Sequence, residues 1–318
     1  GNSIASGGNY NVAIGDEAGT AITTGDNNVA VGYAALDANT TASFNTAVGY
    51  NALSANTTGN YNTAVGNQAM LVNTTGINCD AFGHGSLDAN TTGTQNVAFG
   101  VNTLTANTTA SNNAAVGTAA LGANTTGAGN TALGAFALDA NTSASNNTAV
   151  GYNALTANTT GTINTAFGLS ALAANTTGTS NVALGPYALD ANTTGAQNTA
   201  VGLEAGSAVT TGTYNDFFGF RAGDVTTTAS NNVGIGSNTL GANVTGASNV
   251  AVGTNALILA TVSNNTAVGY GAMAANTSGP NGTAMGSGAL AANTTGSHNN
   301  AFGYHALDAN TTGAHNCA

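Results

Sequence analysis

The sequence predicts an all-β protein, a parallel β-solenoid with 17 residues in each coil and about 18 coils. Three observations predict this fold: a glycine that recurs at a fixed interval, large apolar residues at fixed distances from it, and asparagine at two further fixed positions. A short period kept along a whole chain is typical of units that stack on one another rather than of a globular domain. We therefore expect residues 1–318 to form a single repeat solenoid.

The recurring glycine, called the corner glycine below, marks every coil. Consecutive corner glycines are 17 residues apart, except for one step of 16 between Gly253 and Gly269. They are Gly15, Gly32, Gly49, Gly66, Gly83, Gly100, Gly117, Gly134, Gly151, Gly168, Gly185, Gly202, Gly219, Gly236, Gly253, Gly269, Gly286 and Gly303. Because glycine adopts positive φ and lets another chain segment approach closely, we expect the coil to turn at each of them.

Two positions in the coil are large and apolar, and we predict that both fill its interior. One lies one residue before the corner glycine, as in Val150, and the other lies four residues after it, as in Leu155. The segment 147–150 has the alternation of a short strand, and the segment 154–157 is predicted to be a second strand. A helical solenoid is disfavoured because glycine, asparagine and threonine recur in every coil.

Asparagine recurs four residues before and seven residues after the corner glycine. Stacked at the spacing of β-strands, each of these columns is predicted to form a ladder of amide hydrogen bonds that fixes the register of the coils. The predicted ladder residues are Asn45, Asn62, Asn96, Asn113 and Asn147 in the first column, and Asn56, Asn73 and Asn90 in the second.

Three coils depart from the pattern together. Each has glycine in place of the usual leucine and another residue in place of the second asparagine: Gly19 with Ile22, Gly206 with Val209, and Gly223 with Thr226. We interpret these coils as packing variants that keep the core volume, not as active sites.

An alanine lies two residues before nearly every corner glycine. Since neighbouring residues of a strand face opposite ways, an inward valine column implies that this alanine column faces outward. An outward face that is both small and apolar predicts contact with another copy of the chain. The predicted inter-chain residues are Ala47, Ala64, Ala98, Ala115 and Ala149.

The composition excludes several partners. The chain has one basic residue, Arg221, and a formal net charge of -11, so neither nucleic acid nor an anionic membrane surface is an expected partner. No apolar run is long enough to insert into a membrane, and no cofactor is expected. Cys79 and Cys317 lie too many coils apart to form a disulfide.

Candidate sites are few, and each has a plain structural alternative. The sequence Asn-Thr-Thr matches the N-glycosylation acceptor pattern, but the same residues suit a turn with an amide ladder. The candidate acceptors are Asn39, Asn56, Asn90 and Asn158. The irregular coil at 216–224 is the candidate local site or junction, through Phe217, Phe218, Phe220 and Arg221.

Histidines and tyrosines leave two further alternatives open. The histidines His298, His305 and His315 are interpreted as surface or turn residues, with a metal site as the alternative, and no metal site is predicted. A partial tyrosine column suits either packing or the stacking of sugars: Tyr33, Tyr50, Tyr152, Tyr270 and Tyr304.

The repeat phrase resembles that of known fibre proteins. The unit N-T-A-V-G-Y-N-A, at 45–52 and 147–154, is similar to the repeat of trimeric autotransporter adhesin heads. The longer phrase N-T-A-V-G-Y-N-A-L-T-A-N-T-T-G, at 147–161, resembles repeats of phage tail-fibre and related bacterial fibre proteins. The resemblance implies a left-handed β-roll, a homotrimeric rod, and an extracellular or virion location. Because neither end of the sequence carries an evident polar cap, we expect residues 1–318 to be a segment of a longer fibre that continues end to end.

The expected function is therefore the structural shaft of a fibre, with adhesion to cell-surface glycans distributed along it. The alternative from another class is an ice-binding solenoid with rows of threonine, disfavoured because adjacent residues of a strand point to opposite faces. An enzyme is not expected, because the clustered carboxylates that glycan hydrolysis requires are absent from the sequence.

Overall fold

The computed structural model describes residues 8–318, which form short parallel strands joined by turns and bends, without a helix in that range. Each strand is three residues long and ends immediately before a corner glycine. Each described coil has one strand, and neighbouring strands pair at the spacing of the sequence repeat, as Ala47 does with Ala64. The predicted all-β parallel solenoid is confirmed.

The chain divides into two compact units, Gly1–Thr160 and Gly161–Ala318. In the first unit each strand pairs in parallel with the next along the chain: β1 Val12–Ile14, β2 Val29–Val31, β3 Thr46–Val48, β4 Thr63–Val65, β5 Asp80–Phe82, β6 Val97–Phe99, β7 Ala114–Val116, β8 Thr131–Leu133 and β9 Thr148–Val150.

The second unit repeats this arrangement. Its strands, again paired in sequence order, are β10 Thr165–Phe167, β11 Val182–Leu184, β12 Thr199–Val201, β13 Asp216–Phe218, β14 Val233–Ile235, β15 Val250–Val252, β16 Thr266–Val268, β17 Thr283–Met285 and β18 Asn300–Phe302. The single 16-residue step leaves the register intact, since Ala251 still pairs with Ala267. Nδ2 of Asn249 donates to the carbonyl oxygen of Val262, as Nδ2 of Asn45 does to that of Gly59, so Val262 occupies the position of Gly59 in its coil. The residue omitted is therefore the exposed threonine that precedes this position in regular coils.

The predicted second strand is wrong. The segment 154–157 forms turns, because Leu155 has φ of 53° and the preceding Asn153 has φ of 55°, both in the left-handed region rather than the extended one. The corner glycine beside them, Gly151, has φ of 133°, which a residue with a Cβ atom rarely adopts. The coil therefore turns sharply over a few residues instead of running straight along a second face.

Hydrogen bonds between coils continue through these turns. The N–H of Leu53 donates to the carbonyl oxygen of Ala69 at 2.9 Å, and the N–H of Thr57 donates to that of Thr74 at 3.0 Å. Buried backbone groups need such partners wherever they lie, in strands or outside them. The stacking of whole coils, and not the three-residue strands alone, therefore satisfies the backbone.

The alanine and valine columns face the opposite way from the sequence prediction. Ala47 is the middle residue of its strand and is fully buried within one chain, whereas Thr46 and Val48 on either side are partly exposed. The alanines predicted to contact another chain are all interior residues: Ala47, Ala64, Ala98, Ala115 and Ala149. In the regular coils the buried leucine of the turn lies beside this position, so alanine fits there. The one large residue in the column, Phe217, is accommodated next to glycines.

The remaining interior positions match the sequence prediction. The leucine four residues after the corner glycine is buried in the regular coils, as Leu53, Leu87 and Leu155 show. It packs on one side of the interior with the alanines, while the two asparagine columns occupy the other side. Each coil thus has a core that is half apolar and half amide.

Candidate functional surfaces

The outer face of the strands is the most extended apolar surface of the described chain. The residue one before each corner glycine, called the outer column below, points away from the interior and is half-buried or exposed. It consists of Ile14, Val31, Val48, Val65, Phe82, Phe99, Val116, Leu133 and Val150 in the first unit, and Phe167, Leu184, Val201, Phe218, Ile235, Val252, Val268, Met285 and Phe302 in the second. Phe99 is 52% exposed and Phe167 is 57% exposed.

Aromatic residues stack between coils, both within the outer column and at the position one residue after the corner glycine. The rings of Phe82 and Phe99 lie with their centroids 4.9 Å apart, and those of Tyr33 and Tyr50 lie 5.3 Å apart. Tyr33, Tyr50 and Phe99 are 43%, 49% and 52% exposed, and Phe82 is half-buried. A row of partly exposed apolar side chains of this kind is typical of a site of interaction.

Sequence reasoning missed the outer column because it assumed that the larger residues lie inside. One signal in the sequence does distinguish the two columns. The inner column is alanine with almost no variation, whereas the outer column varies in size from valine to phenylalanine between neighbouring coils. A close-packed interior does not tolerate such changes in volume without compensation, so variable size indicates an outward position.

Both predicted asparagine ladders are present. In the first column the N–H of Asn62 donates to Oδ1 of Asn45 at 2.9 Å, and Nδ2 of Asn45 donates to the carbonyl oxygen of Gly59 at 2.9 Å. In the second column Nδ2 of Asn73 donates to Oδ1 of Asn56 at 3.0 Å. The other predicted members make equivalent bonds: Asn90, Asn96, Asn113 and Asn147. Since all are buried, these bonds prevent a large desolvation cost.

The four candidate glycosylation acceptors lie in the interior of the folded chain. Asn39, Asn56, Asn90 and Asn158 are fully buried, and the Nδ2 atom of each donates a hydrogen bond within the protein. A modifying enzyme needs this nitrogen at the surface. The Asn-Thr-Thr phrase therefore serves the turn and the ladder.

Cys79 occupies a position of the first asparagine ladder. Its N–H donates to Oδ1 of Asn62 at 3.0 Å, and its Sγ lies 3.4 Å from the carbonyl oxygen of Gly93, where an asparagine amide would donate. Burial raises the pKa of the Cys79 thiol to about 11, so it stays protonated at neutral pH. Cys79 and Cys317 are both free thiols.

The predicted local site at 216–224 does not form one pocket, because its residues point in different directions. Phe217 takes the place of an inner alanine and is fully buried, whereas Phe218 and Phe220 are exposed on the outer side. Arg221 is exposed, its Nε atom lies 2.6 Å from Oε2 of Glu204, and its guanidinium lies 5.2 Å from the centroid of the Phe220 ring. Exposed ion pairs contribute little to stability.

Glycines in the same coil and in the neighbouring coils make room for the Phe217 ring. A Cβ atom at Gly223 would lie 2.5 Å from ring carbons of Phe217, one at Gly206 would lie 3.0 Å away, and one at Gly234 would lie 3.1 Å away. Gly206 and Gly223 stand where other coils have leucine. In the first unit, the same kind of exchange places Cδ1 of Ile22 against Gly19. These coils are packing variants, as the sequence predicted.

The histidines are paired with neighbours rather than grouped around a metal. The rings of His298 and His315 stack with centroids 4.9 Å apart, and Nδ1 of His305 lies 2.9 Å from Oδ2 of Asp308. Among the described residues no group of three or more histidine, cysteine, aspartate or glutamate side chains is placed to hold a metal ion.

The two threonine columns both lie on the outside of the coil. Thr57 is half-buried and Thr58 is exposed, while Asn56 before them and Gly59 after them are buried. Oγ1 of Thr57 donates to the carbonyl oxygen of Thr74 at 3.1 Å, and other coils repeat this bond. The sequence-based objection to threonine rows on one surface is therefore wrong, because this segment is a bend and not a strand.

Comparison of the chain with protein-family models and with curated proteins finds no match. Within residues 8–318, no helix has the length and apolar character that a membrane crossing requires. The arguments for function that follow therefore depend on the surfaces described above.

Proposed function

We propose that the chain is the shaft of a fibre in which three identical chains associate side by side through the outer column. The observation that supports this proposal is the outer column itself, which is apolar in every described coil and contains no charged residue. Burial of apolar surface is the main favourable term in protein association. The outer columns of three copies can pack against one another coil by coil, since all have the same 17-residue spacing.

The interior of the coil also supports a structural role. Ladder hydrogen bonds repeat at every regular coil, so the coils are held by many equivalent interactions rather than by one specialised core. Such an arrangement unfolds slowly when the ends are protected. The proposal includes no catalytic step and no cofactor.

We further propose an extracellular or virion-surface location. Arg221 is the only basic residue, so a trypsin-like protease has one bond to cut along the whole chain. The buried free thiol of Cys79 is compatible with an oxidising and with a reducing compartment. The support for the proposed location is therefore the single trypsin site and the fibre proposal.

The experiment that tests association compares two double variants in the same two coils. Phe99→Glu with Val116→Glu places charge on the outer column, and Thr92→Glu with Thr109→Glu places the same charge on the exposed bend. Sedimentation equilibrium should give three chains for the wild type and for the bend variant, and one chain for the outer-column variant. A monomeric wild type, or an outer-column variant that remains trimeric, would contradict the proposal.

Ice binding is a second candidate, favoured by the placement of both threonine columns on the outside of the coil. Regular rows of threonine at the coil spacing present methyl and hydroxyl groups in a repeating pattern. Thermal hysteresis of the wild type, lost in Thr75→Tyr with Thr92→Tyr, would establish this activity. Absence of hysteresis in the wild type at millimolar concentration would rule it out.

A further inference from the structure

A groove crosses four coils near the end of the second unit. It has a volume of about 500 Å³ and is lined by ten residues: Asn255, Ile258, Tyr270, Gly271, Ala274, Ser287, Gly288, Ala291, Tyr304 and His305. These come from three columns of the repeat, which lie one, two and five residues after the corner glycine. The side chains at these three positions in successive coils, or their absence at glycine, therefore shape the groove.

Glycine opens the floor of the groove. The position two residues after the corner glycine is usually asparagine, glutamine or another residue with a side chain, and its backbone is left-handed in either case: Asn153 has φ of 55° and Gly271 has φ of 60°. The backbone therefore does not require glycine there. A Cβ atom at Gly271 would meet no other atom within 4 Å. The missing side chain of Gly271 therefore leaves open space, whereas the space beside Gly288 is covered by the ring of His305, 2.9 Å from where a Cβ atom would lie.

Two tyrosines line the groove. Tyr270 is 64% exposed, whereas Tyr33 and Tyr50 stack on each other and are 43% and 49% exposed. Ser287 separates the two tyrosines in the coil between them, so equivalent atoms lie two coils apart, about 10 Å at the strand spacing. Tyr304 is held in place by an edge contact to His305, with ring centroids 4.2 Å apart.

Charge selects against ionic ligands. The one ionisable pair beside the groove is His305 with Asp308, whose atoms lie 2.9 Å apart, and the chain as a whole has a formal net charge of -11. An anionic ligand would meet a negative field with no lysine or arginine to neutralise it. The polar groups available in the groove are the amide of Asn255, the hydroxyl of Ser287 and the imidazole of His305.

We propose that this groove binds an uncharged linear oligosaccharide. One face of a pyranose ring carries only C–H groups and packs on an aromatic ring, while its hydroxyls bond to amide and hydroxyl groups at the edge. Concave sites with apolar walls and a few convergent polar groups are typical of small-ligand binding. Tyr270 and Tyr304 contact alternate sugars of an extended chain, the open space beside Gly271 accommodates the sugar on Tyr270, and Ser287 and His305 face the sugar between the two tyrosines. The site does not depend on association through the outer column.

Saturation-transfer NMR with the full chain tests this proposal, using cellotetraose and N-acetylchitotetraose as neutral probes and tetragalacturonate as an anionic probe. We expect transfer to at least one neutral probe, and at least fivefold less transfer to it in Gly271→Asn and in Tyr304→Ala. Gly271→Asn introduces a residue that this column accepts elsewhere, so the fold should persist. Gly85→Asn makes the same change at the same position of the repeat in the first unit and should leave transfer unchanged.

Three results would overturn the proposal: no transfer to either neutral probe, equal transfer in Gly271→Asn and the wild type, or greater transfer to tetragalacturonate than to the neutral probes. Sedimentation of Gly271→Asn separates this result from the fibre proposal. A Gly271→Asn variant that has lost transfer but keeps the wild-type mass shows a defect in the groove alone.

Discussion

The regular coils and the coils around Phe217 fill their interior volume in different ways. A regular coil fills its own interior with alanine, leucine and two ladder asparagines, as Ala149, Leu155 and Asn147 do. Around Phe217, one large ring fills space left empty by Gly223 of its own coil and by Gly206 and Gly234 of the coils before and after it. The comparison shows that interior volume is conserved between coils and not only within each coil.

The second asparagine ladder is interrupted in the coils where glycine replaces leucine. Val209 and Thr226 replace ladder asparagines, and Ala260 does so further along. The described residues contain three buried polar side-chain atoms without a hydrogen-bond partner: Oδ1 of Asn192, Oγ1 of Thr226 and Oδ1 of Asn243. Asn192 and Asn243 are each followed by a coil that lacks the donor, and Thr226 lies between Val209 and Asn243. Each unpaired atom thus lies where the ladder is interrupted.

Removing the Phe217 ring should have the largest effect on this comparison. Phe217→Ala leaves a cavity bounded by three glycines, and we expect a loss of about 3–5 kcal/mol in the free energy of unfolding, measured by urea denaturation. Phe217→Ala combined with Gly206→Leu and Gly223→Leu restores the regular pattern, and we expect it to recover most of that loss. A triple variant no more stable than Phe217→Ala would show that the volumes are not shared between coils.

Interrupting the ladder in a regular coil should have the next largest effect. Asn107→Val repeats what Val209 does naturally, because it leaves Oδ1 of Asn90 without the donor that now lies at 3.0 Å. The expected loss is about 1–3 kcal/mol in the free energy of unfolding. Thr109→Val, on the exposed bend of the same coil, is the matched control and should change stability little. Equal stability of the two variants would mean that the ladder does not stabilise the fold.

Removing an unpaired hydroxyl should stabilise the chain. Thr226→Val keeps the shape of the side chain and deletes a buried hydroxyl without a partner, so we expect a gain of about 1 kcal/mol, seen as a higher melting temperature. Thr103→Val deletes a buried hydroxyl that lies 2.6 Å from the carbonyl oxygen of Gly117 and should lower the melting temperature. A decrease in both variants would indicate that the Thr226 hydroxyl has a partner.

The smallest expected effect is that of pH. Burial raises the pKa of the Asp37, Asp139 and Asp190 carboxyls above the ordinary aspartate value, and it does so for Asp224, where the Arg221 guanidinium partly opposes the shift. Between the ordinary and the raised pKa, the folded chain binds more protons than the unfolded chain, so stability falls as pH rises through this window.

We therefore expect a slightly higher melting temperature at pH 4 than at pH 7, measured by circular dichroism at constant ionic strength. Asp139→Asn should reduce the difference between the two pH values, while Asp139→Glu should keep it. A wild-type melting temperature that falls on acidification would contradict the expected direction of the pH effect.

Features of the fold that are caused by the fixed spacing of the repeat could be predicted from the sequence. The period, the parallel stacking, the buried Leu155 column and the ladder at Asn56 and Asn73 follow from the sequence, because identical residues at a fixed spacing must lie over one another once coils stack. The exchange of Leu for Gly at 206 and 223 also indicated conserved volume. The residue that fills that volume, Phe217, lies in the coil of Gly223 and one coil away from Gly206, and only the structure identified it.

The sequence by itself determined that the chain is a stack of 17-residue coils with asparagine ladders. Only the tertiary structure decided which side of the strand is the inside. The sequence Thr148, Ala149, Val150 alternates in the same way whether the alanine or the valine faces inward. Which of them does so depends on how the turn, in which Leu155 is left-handed, packs against the strand. An inner side chain meets the leucine of the turn closely, since a Cβ atom at Gly234 would lie 3.6 Å from Cδ1 of Leu240. In the regular coils the interior position therefore holds alanine, and the larger apolar residue beside it lies on the outer side.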